Sequence, residues 1–195
     1  MSAEERTDEI LMVDLCQGRE SALAELVRRY QNDIFRFCLH YVKRFDVAQE
    51  MAQQTFVRVY TARERFDSSR KFKPWVLCIA RNLCLNELKR KKAVSMETLE
   101  EYASASRDES GEVLRFSGDG PDEALMADER RQMLERALDD LDAEAREIVT
   151  LRFFERMAAR DIANVIGSTE GAVRTRLHRI LAGLRRKYEG AKEEL

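Results

Sequence analysis

Gly171, Thr175, Arg179 and Arg186 recur along one side of a helical pattern, and Arg174, Arg176, His178 and Arg185 flank them. The chemistry these side chains suit is recognition. A helix entering a DNA major groove needs small or polar residues near its N-terminal end to meet base edges. It also needs cations on both flanks to meet the two phosphate walls. A solvated basic helix on a three-helix bundle would carry similar charges, but the glycine turn and cap that precede this helix add to the charge pattern. A second set lies at residues 65–73, RFDSSRKFK, with four bases and two aromatics. Asn82, Asn86 and Lys89 follow at i, i+4 and i+7, and the segment closes on Lys89, Arg90, Lys91 and Lys92. Bases interleaved with aromatics and amides suit exposed nucleobases, which stack and hydrogen-bond there. Cations near a helix C-terminus are also favoured by the helix dipole, so that run carries little by itself. No nucleophile–base pair, phosphate-cradling glycine loop or metal cluster is present, so the chain reads as a non-enzyme without a cofactor. The separations of Cys16, Cys38, Cys78 and Cys84 match no paired zinc pattern, and they read as buried free thiols.

The elements that must position these groups are helices. In the C-terminal third, one pattern carries Ile148, Val149 and Leu151, and a second, residues 159–166, carries Ile162, Val165 and Ile166. Gly167 ends the second as a left-handed cap. Ser168 or Thr169 caps the third, whose buried stripe is Val173, Leu177, Ile180, Leu181 and Leu184. Upstream, residues 8–17 form a short helix burying Ile10, Leu11, Val13 and Leu15, broken by Gly18. A longer helix over 21–44 buries Leu23, Leu26, Val27, Tyr30, Ile34, Cys38 and Tyr41. Asp46, three before Gln49, resembles a capping box for the next helix. That helix buries Ala48, Met51, Ala52, Thr55, Phe56 and Val59, and leaves Glu50, Gln53, Gln54, Val57, Arg58 and Thr61 outward. A polar face with one exposed valine suits protein docking, and an ordinary solvated face reads the same way. Pro74 opens the helix after the basic loop, at a first-turn position. Pro121 opens another, with Leu125, Met133, Leu134, Leu138 and Leu141.

With 195 residues, only eight Gly and two Pro, and 36% charged residues, the composition is that of a helix-rich chain of one or two domains and argues against an all-β architecture. No run approaches the roughly 20 apolar residues of a membrane span. The charged start, MSAEERTDE, is no secretory signal, so a cytoplasmic protein without membrane insertion is expected. The formal net charge of −2 looks wrong for a nucleic-acid partner. It is unevenly spread. Residues 93–123 hold nine carboxylates against two arginines, a net −7, which leaves +5 for the rest. Small, polar, acidic runs such as ASASRDESGE are linker composition.

Three segments in this order resemble the sigma factors of the extracytoplasmic-function group of the sigma-70 family, over residues 10–188. EMAQQTFVRVY resembles the family's polymerase-core-binding helix. RFDSSRKFKPWVLCIARNLCLNELKRKK resembles the segment that melts and reads the promoter −10 element. LRFFERMAARDIANVIGSTEGAVRTRLHRILAGLRR resembles the −35-reading helix-turn-helix. The resemblance implies an all-α fold of two small helical domains: region 2 over 8–93 and region 4 over 122–190, joined by a flexible acidic linker over 94–121. It implies a subunit that binds core RNA polymerase, through its beta and beta-prime subunits, and directs initiation by reading −35 duplex and −10 single strand. It further implies a stress or signal response and an anti-sigma partner.

Carried over position by position, Glu50, Gln53, Gln54, Phe56, Val57, Arg58 and Tyr60 would dock on polymerase. The −10 set would be Arg65, Arg70, Lys71, Phe72, Lys73, Trp75, Arg81, Asn82, Asn86, Lys89 and Arg90. The −35 set, within a helix-turn-helix over 159–178, would be Ser168, Thr169, Gly171, Arg174, Thr175, Arg176 and His178, with Arg179 just beyond it. Gln54 stands where Glu is usual, Ala158 where a capping Ser is common, and Arg160 where Glu is common. His178 occupies a position that varies. Two other readings fit the residues: a dimeric regulator binding a two-fold symmetric site, and an interaction adaptor whose basic faces are merely solvated. The basic-aromatic surface of the N-terminal half argues against the dimeric regulator.

Overall fold

The computed structural model describes residues 6–98 and 141–193, all helices and turns without a strand among them. The helix expected after Pro121 and the acidic linker lie outside the described residues, apart from Leu141 in the former and residues 94–98 in the latter. The chain divides into two compact units, residues 1–110 and 111–195.

In the N-terminal unit, α1 (Asp8–Cys16) is capped by Thr7, whose hydroxyl oxygen accepts from the Ile10 N–H at 3.4 Å. It ends before Gly18, at φ +85°, a backbone state that favours glycine. Leu11, Met12 and Leu15 are buried, whereas Ile10 and Val13 face solvent. The expected apolar face was therefore too broad: at 100° per residue Met12 and Leu15 share the inner stripe, and Ile10 and Val13 fall outside it. Helix α2 (Glu20–Val42) contributes Ala22, Leu26, Ile34, Phe37, Cys38 and Val42 to the core. It packs against α1, α3 (Phe45–Thr61) and α4 (Phe72–Thr98), and α3 packs on α4. Leu23, Val27, Tyr30 and Tyr41 are only partly buried, because they line the rim of this cluster. Fully burying a Leu or Phe side chain is worth about 1.5–3 kcal/mol. Leu26, Phe37, Phe72, Val76 and Leu77, all at 0% exposure, therefore dominate the unit.

Two helix starts differ from expectation. The N-cap of α3 is Arg44, with no side-chain cap bond, and Asp46 sits inside the first turn paired with Arg44 at 2.6 Å. Asp46 thus serves the helix dipole from within, and that ion pair holds its carboxyl below the ordinary range. Helix α4 begins at Phe72, so Pro74 is its third residue. The first-turn N–H groups have no intrahelical partner, and a proline costs nothing there. At its other end α4 runs to Thr98, past the expected linker start at 94.

One orphan donor at the start of α4 has a remote partner. The Phe72 N–H donates to Glu9 Oε1 of α1 at 3.1 Å. Beside it Asp8 accepts from the Tyr30 hydroxyl and from Arg29, the latter at 2.9 Å. Burial and the Asp8 carboxylate together push the Tyr30 phenol well above its usual range. Tyr30 stacks edge-on against Phe72 with 5.2 Å between ring centroids. Four carboxylate and aromatic groups thereby fix the junction between the basic loop and α4.

In the C-terminal unit, α5 (Ala143–Val149) is capped by Asp142, whose Oδ1 accepts from Ala145 N–H at 2.8 Å. It widens into a π-helical turn over Thr150–Phe154, where Glu155 N–H reaches back five residues to Thr150 O. The extra residue turns Leu151 inward and leaves Phe153 and Phe154 exposed. Helix α6 (Ala159–Ile166) matches the expected bounds. Ala158 gives it no side-chain cap, and Gly167 closes it at φ +70°. Thr169, not Ser168, caps α7 (Glu170–Glu193), accepting from Ala172 N–H at 3.2 Å. Ile148, Leu151, Met157, Ile162, Val165, Val173 and Ile180 form the core. Leu177 and Leu184 are half-buried and Leu181 is exposed, so the stripe on α7 is narrower than its apolar residues imply.

Removing the Glu9 carboxylate should loosen the start of α4. Losing a capping acceptor costs about 0.5–2 kcal/mol. Glu9→Ala should lower the urea midpoint, read by the fluorescence of Trp75, the single tryptophan. Glu9→Gln keeps an acceptor oxygen and should recover most of the loss. Equal midpoints for Glu9→Ala and the parent would rule out this role.

Candidate nucleic-acid interface

The basic loop is short and internally braced. Asp67 Oδ1 accepts from the Ser69 N–H at 3.0 Å and from its hydroxyl at 2.7 Å, an Asx turn. Those two bonds and nearby Arg70 hold the Asp67 carboxyl below its usual range. Arg65, Asp67, Ser68, Ser69, Arg70 and Lys71 are exposed. Beneath them Phe66 packs on Trp75 at 5.1 Å and on Phe72 at 6.1 Å. Phe72 is fully buried, so this member of the expected −10 set is the floor of the loop. Phe66 and Trp75 keep partly exposed rings. Lys73 leans toward Asp33 of α2 at 3.6 Å.

Helix α4 extends this surface. Residues 75, 78, 82, 86 and 89 follow one side of a helix. Asn82 donates weakly to Cys78 Sγ at 3.8 Å, consistent with that shared side. Asn82, Asn86 and Lys89 are exposed, and Trp75 is half-exposed. At 1.5 Å rise per residue the stripe from Trp75 to Lys89 is about 21 Å long, room for several nucleotides of single strand. Arg81 is half-buried at its edge. Arg90 is paired with Glu87 at 2.9 Å, and Lys91 reaches the same carboxylate at 3.8 Å. The Arg90 guanidinium draws the Glu87 carboxyl down. The C-terminal base run is thus partly neutralised by its own helix.

On α3 the outward set is as the period required. Glu50, Gln53, Gln54, Val57, Arg58 and Thr61 are all exposed, Val57 at 61%. Gln54 donates to Glu50 at 2.9 Å. The Arg63 guanidinium lies over the Tyr60 ring, 4.6 Å from its centroid. Tyr60 is exposed at 37%, so this cation–π pair adds a flat, partly apolar end to the face. Phe56 is buried with Thr55 and Val59, so it holds the face from beneath.

On α7, Ser168, Thr169, Gly171, Arg174, Thr175, His178 and Arg179 are exposed. Arg174 pairs with Glu170 one turn earlier at 2.5 Å. Thr169 is committed as the cap. Arg176 differs from its neighbours: its Nη1 lies 2.8 Å from Glu144, and its Nη2 3.6 Å from Asp142. Sequence periodicity gave no sign of that pair, nor of Glu9 at Phe72, because both join residues far apart in the chain. The Arg63–Tyr60 contact was detectable in principle from its i, i+3 spacing.

Cys38 and Cys84 are buried as expected, whereas Cys16 is exposed and Cys78 half-buried, so that expectation holds for two of the four. The adjacent Cys84 thiol and burial push Cys38 far above the thiol range. No group of metal-ligating side chains occurs among the described residues. No described helix is long and apolar enough to cross a membrane.

Comparison with known proteins follows the same division. Residues 26–94 match the family described as Sigma-70 region 2, and residues 131–184 match Sigma-70, region 4. The chain is 26% identical over 176 residues to the ECF RNA polymerase sigma factor SigW of Bacillus subtilis, covering 88% of this chain and 91% of that one. Its fold is similar to CnrH, solved in complex with the cytosolic domain of CnrY, with a TM-score of 0.65 at 21% identity, covering 94% of this chain and 97% of that one. It is also similar to the sigma factor RpoE of Bartonella quintana, solved with the anti-sigma factor NepR, with a TM-score of 0.63 at 17% identity over 85% and 96% of the two chains. The chain belongs to the sigma-70 family, in its extracytoplasmic-function group, and is a sigma factor that directs transcription.

Proposed function

We propose that the two basic surfaces divide promoter recognition between duplex and opened strand, while α3 docks on core RNA polymerase. The observation that carries this reading is the stripe of Trp75, Asn82, Asn86 and Lys89, continuous with an aromatic-floored basic loop. Amides and rings exposed together suit unpaired bases, which offer both a π-face and a Watson–Crick edge. Arg65, Arg70 and Lys71 supply phosphate contacts along that strand. Phe66 and Trp75 offer the stacking surface and Phe72 supports it. An extruded base costs a few kcal/mol to unstack, and stacking with hydrogen bonds from Asn82 offsets this.

The start of α7 fits duplex DNA. Gly171 lets the backbone approach, Thr175, His178 and Arg179 face the base edges, and Arg174 meets phosphate. Glu50, Gln53, Gln54, Val57 and Arg58, with Tyr60 at their end, form the polymerase-docking face. The linker, within the segment 93–123 that carries a net −7, follows a basic path on the polymerase near the RNA exit channel, as an RNA-like polyanion would. The protein acts in the cytoplasm without catalysis of its own, in a stress or signal response. An anti-sigma protein holds it in check, as NepR is bound to RpoE in the relative's structure.

Three measurements test the division. Arg179→Ala should change −35 preference, by about 1–3 kcal/mol for a bidentate contact. Asn82→Ala should leave closed-complex binding nearly intact and reduce permanganate reactivity of −10 thymines, with only partial recovery on a pre-melted bubble. If Asn82→Ala instead weakened duplex binding as much as Arg179→Ala while opening stayed normal, the roles would be wrongly assigned. Gln53→Ala should weaken core affinity without changing thermal stability, and unchanged affinity would remove α3 from the interface.

A further inference from the structure

We infer that Arg176 is a positioning residue that ties the recognition helix α7 to α5 and makes no contact with DNA. The inference rests on the reading of α7 as the duplex-binding helix. Arg176 lies among the residues expected to meet DNA, between Thr175 and His178. It is less exposed than Arg174, Thr175, His178 and Arg179. Its guanidinium reaches two carboxylates, Glu144 at 2.8 Å and Asp142 at 3.6 Å. Asp142 is itself fixed, because its Oδ1 caps α5 through the Ala145 N–H. Both acids stand at the N-terminus of α5, where negative charge is favoured. The fork of Arg176 therefore grips a helix end, and it borders a groove shared with Ala145, Ile148 and Ile180.

A DNA phosphate approaching Arg176 would have to displace two carboxylates and then sit beside their charges. Arg174 has one competing acid, Glu170, on its own helix. That pair moves with α7 and sets no angle between helices. The Arg176 pair joins two helices, so it sets how far α7 is rotated about its own axis relative to α5. Rotation decides whether Thr175 and Arg179 point at base edges or at the groove wall. An exposed ion pair contributes little to stability, at most about a fivefold change in an equilibrium. Its effect should therefore appear in base selectivity more than in melting.

The test uses the full-length chain with core polymerase, on duplexes selected by the parent holoenzyme from a library randomised at −35. Removing one cation from a phosphate flattens the slope of log K against log[salt] by about 0.9. Arg176→Gln should reduce discrimination between selected and unselected duplexes by about three- to fivefold, as much as such a pair can hold in place, and leave the slope unchanged. Arg176→Glu should lose more, and the swap Arg176→Glu with Glu144→Arg should restore discrimination to within about twofold of the parent. Circular dichroism checks that helix content is kept. Should Arg176→Gln unfold, the swap compared with Arg176→Glu alone decides the matter. A slope flattened by about one unit in Arg176→Gln, with no rescue by the swap, would mean that Arg176 holds a phosphate and would overturn the inference. Arg179→Ala distinguishes the two levels. If Arg179→Ala left discrimination untouched, the duplex-reading role of α7 would fall, and this inference with it; if Arg179→Ala lowered discrimination and Arg176→Gln left it untouched, the inference alone would fall. If Arg179→Ala lowered discrimination while Arg176→Gln flattened the slope, only the inference would fall.

Discussion

Burial of one stripe on each helix determines what the remaining faces can offer. On α3, Val47, Ala48, Met51, Ala52, Thr55, Phe56 and Val59 turn inward. Once they do, helical geometry leaves Glu50, Gln53, Gln54, Val57 and Arg58 no choice of direction. The same holds on α4, where burying Phe72, Val76, Leu77, Ala80 and Cys84 turns Asn82, Asn86 and Lys89 outward. The proposed recognition surfaces are therefore set by core packing, and changes to the core would reach them without touching them. A buried Leu→Ala change leaves a cavity costing about 2–5 kcal/mol. Leu77, fully buried on α4, is a place where such a change would act on the same helix that carries the exposed stripe.

Charge is arranged on top of that frame in two classes. Some cations are held by acids on the same or a neighbouring helix. Arg28 and Arg29 grip Glu25 and draw its carboxyl down to about 2, Arg90 grips Glu87, and Arg19 with Arg6 grips Asp14. These pairs brace helices, and they subtract from the field a nucleic acid would meet. Others, such as Arg65 on the loop and Arg179 on α7, stand on exposed surfaces. Counting arginines therefore overstates the DNA-facing charge, just as the net charge of −2 understates it. Both errors come from ignoring which acid lies within about 4 Å of which base.

Features repeating with the helical period were legible in the sequence: the bounds of α6, the glycine cap at Gly167, and the entire outward set on α3. Local rules failed where a neighbour competed. Asp46 resembled a capping residue, but Arg44 beside it pairs with its carboxylate and the helix starts earlier. Pro74 is tolerated throughout a first turn, so its presence located that turn only to within two residues. Ile10 and Val13 looked buried because short apolar runs fill more than one stripe. Phe56 fell on the buried stripe of α3 by its period, and only the family resemblance put it at an interface; Phe72 stands at the very start of α4, where no period places it, and only the packing of that helix shows it buried. Long-range polar contacts such as Glu9 to Phe72 N–H have no periodic signature at all.

The contacts that escaped the sequence share one physical character. Each joins a polar group on one helix to the end of another: Glu9 to the start of α4, and Arg176 to the start of α5. Apolar packing alone leaves a helix free to rotate and slide among near-equivalent arrangements, because methyl and methylene surfaces are weakly directional. A hydrogen bond or ion pair at a helix terminus is directional, and the orphan N–H and C=O groups at the two ends are the parts of a helix backbone still open to partners. A single carboxylate at such an end removes a rotational freedom that the core leaves loose. The helices these contacts fix, α4 by its own start and α7 through the start of α5, carry the side chains proposed to meet nucleic acid. Base recognition demands angular placement that burial does not supply, and on the proposed reading the carboxylates of Glu9 and Glu144 supply it.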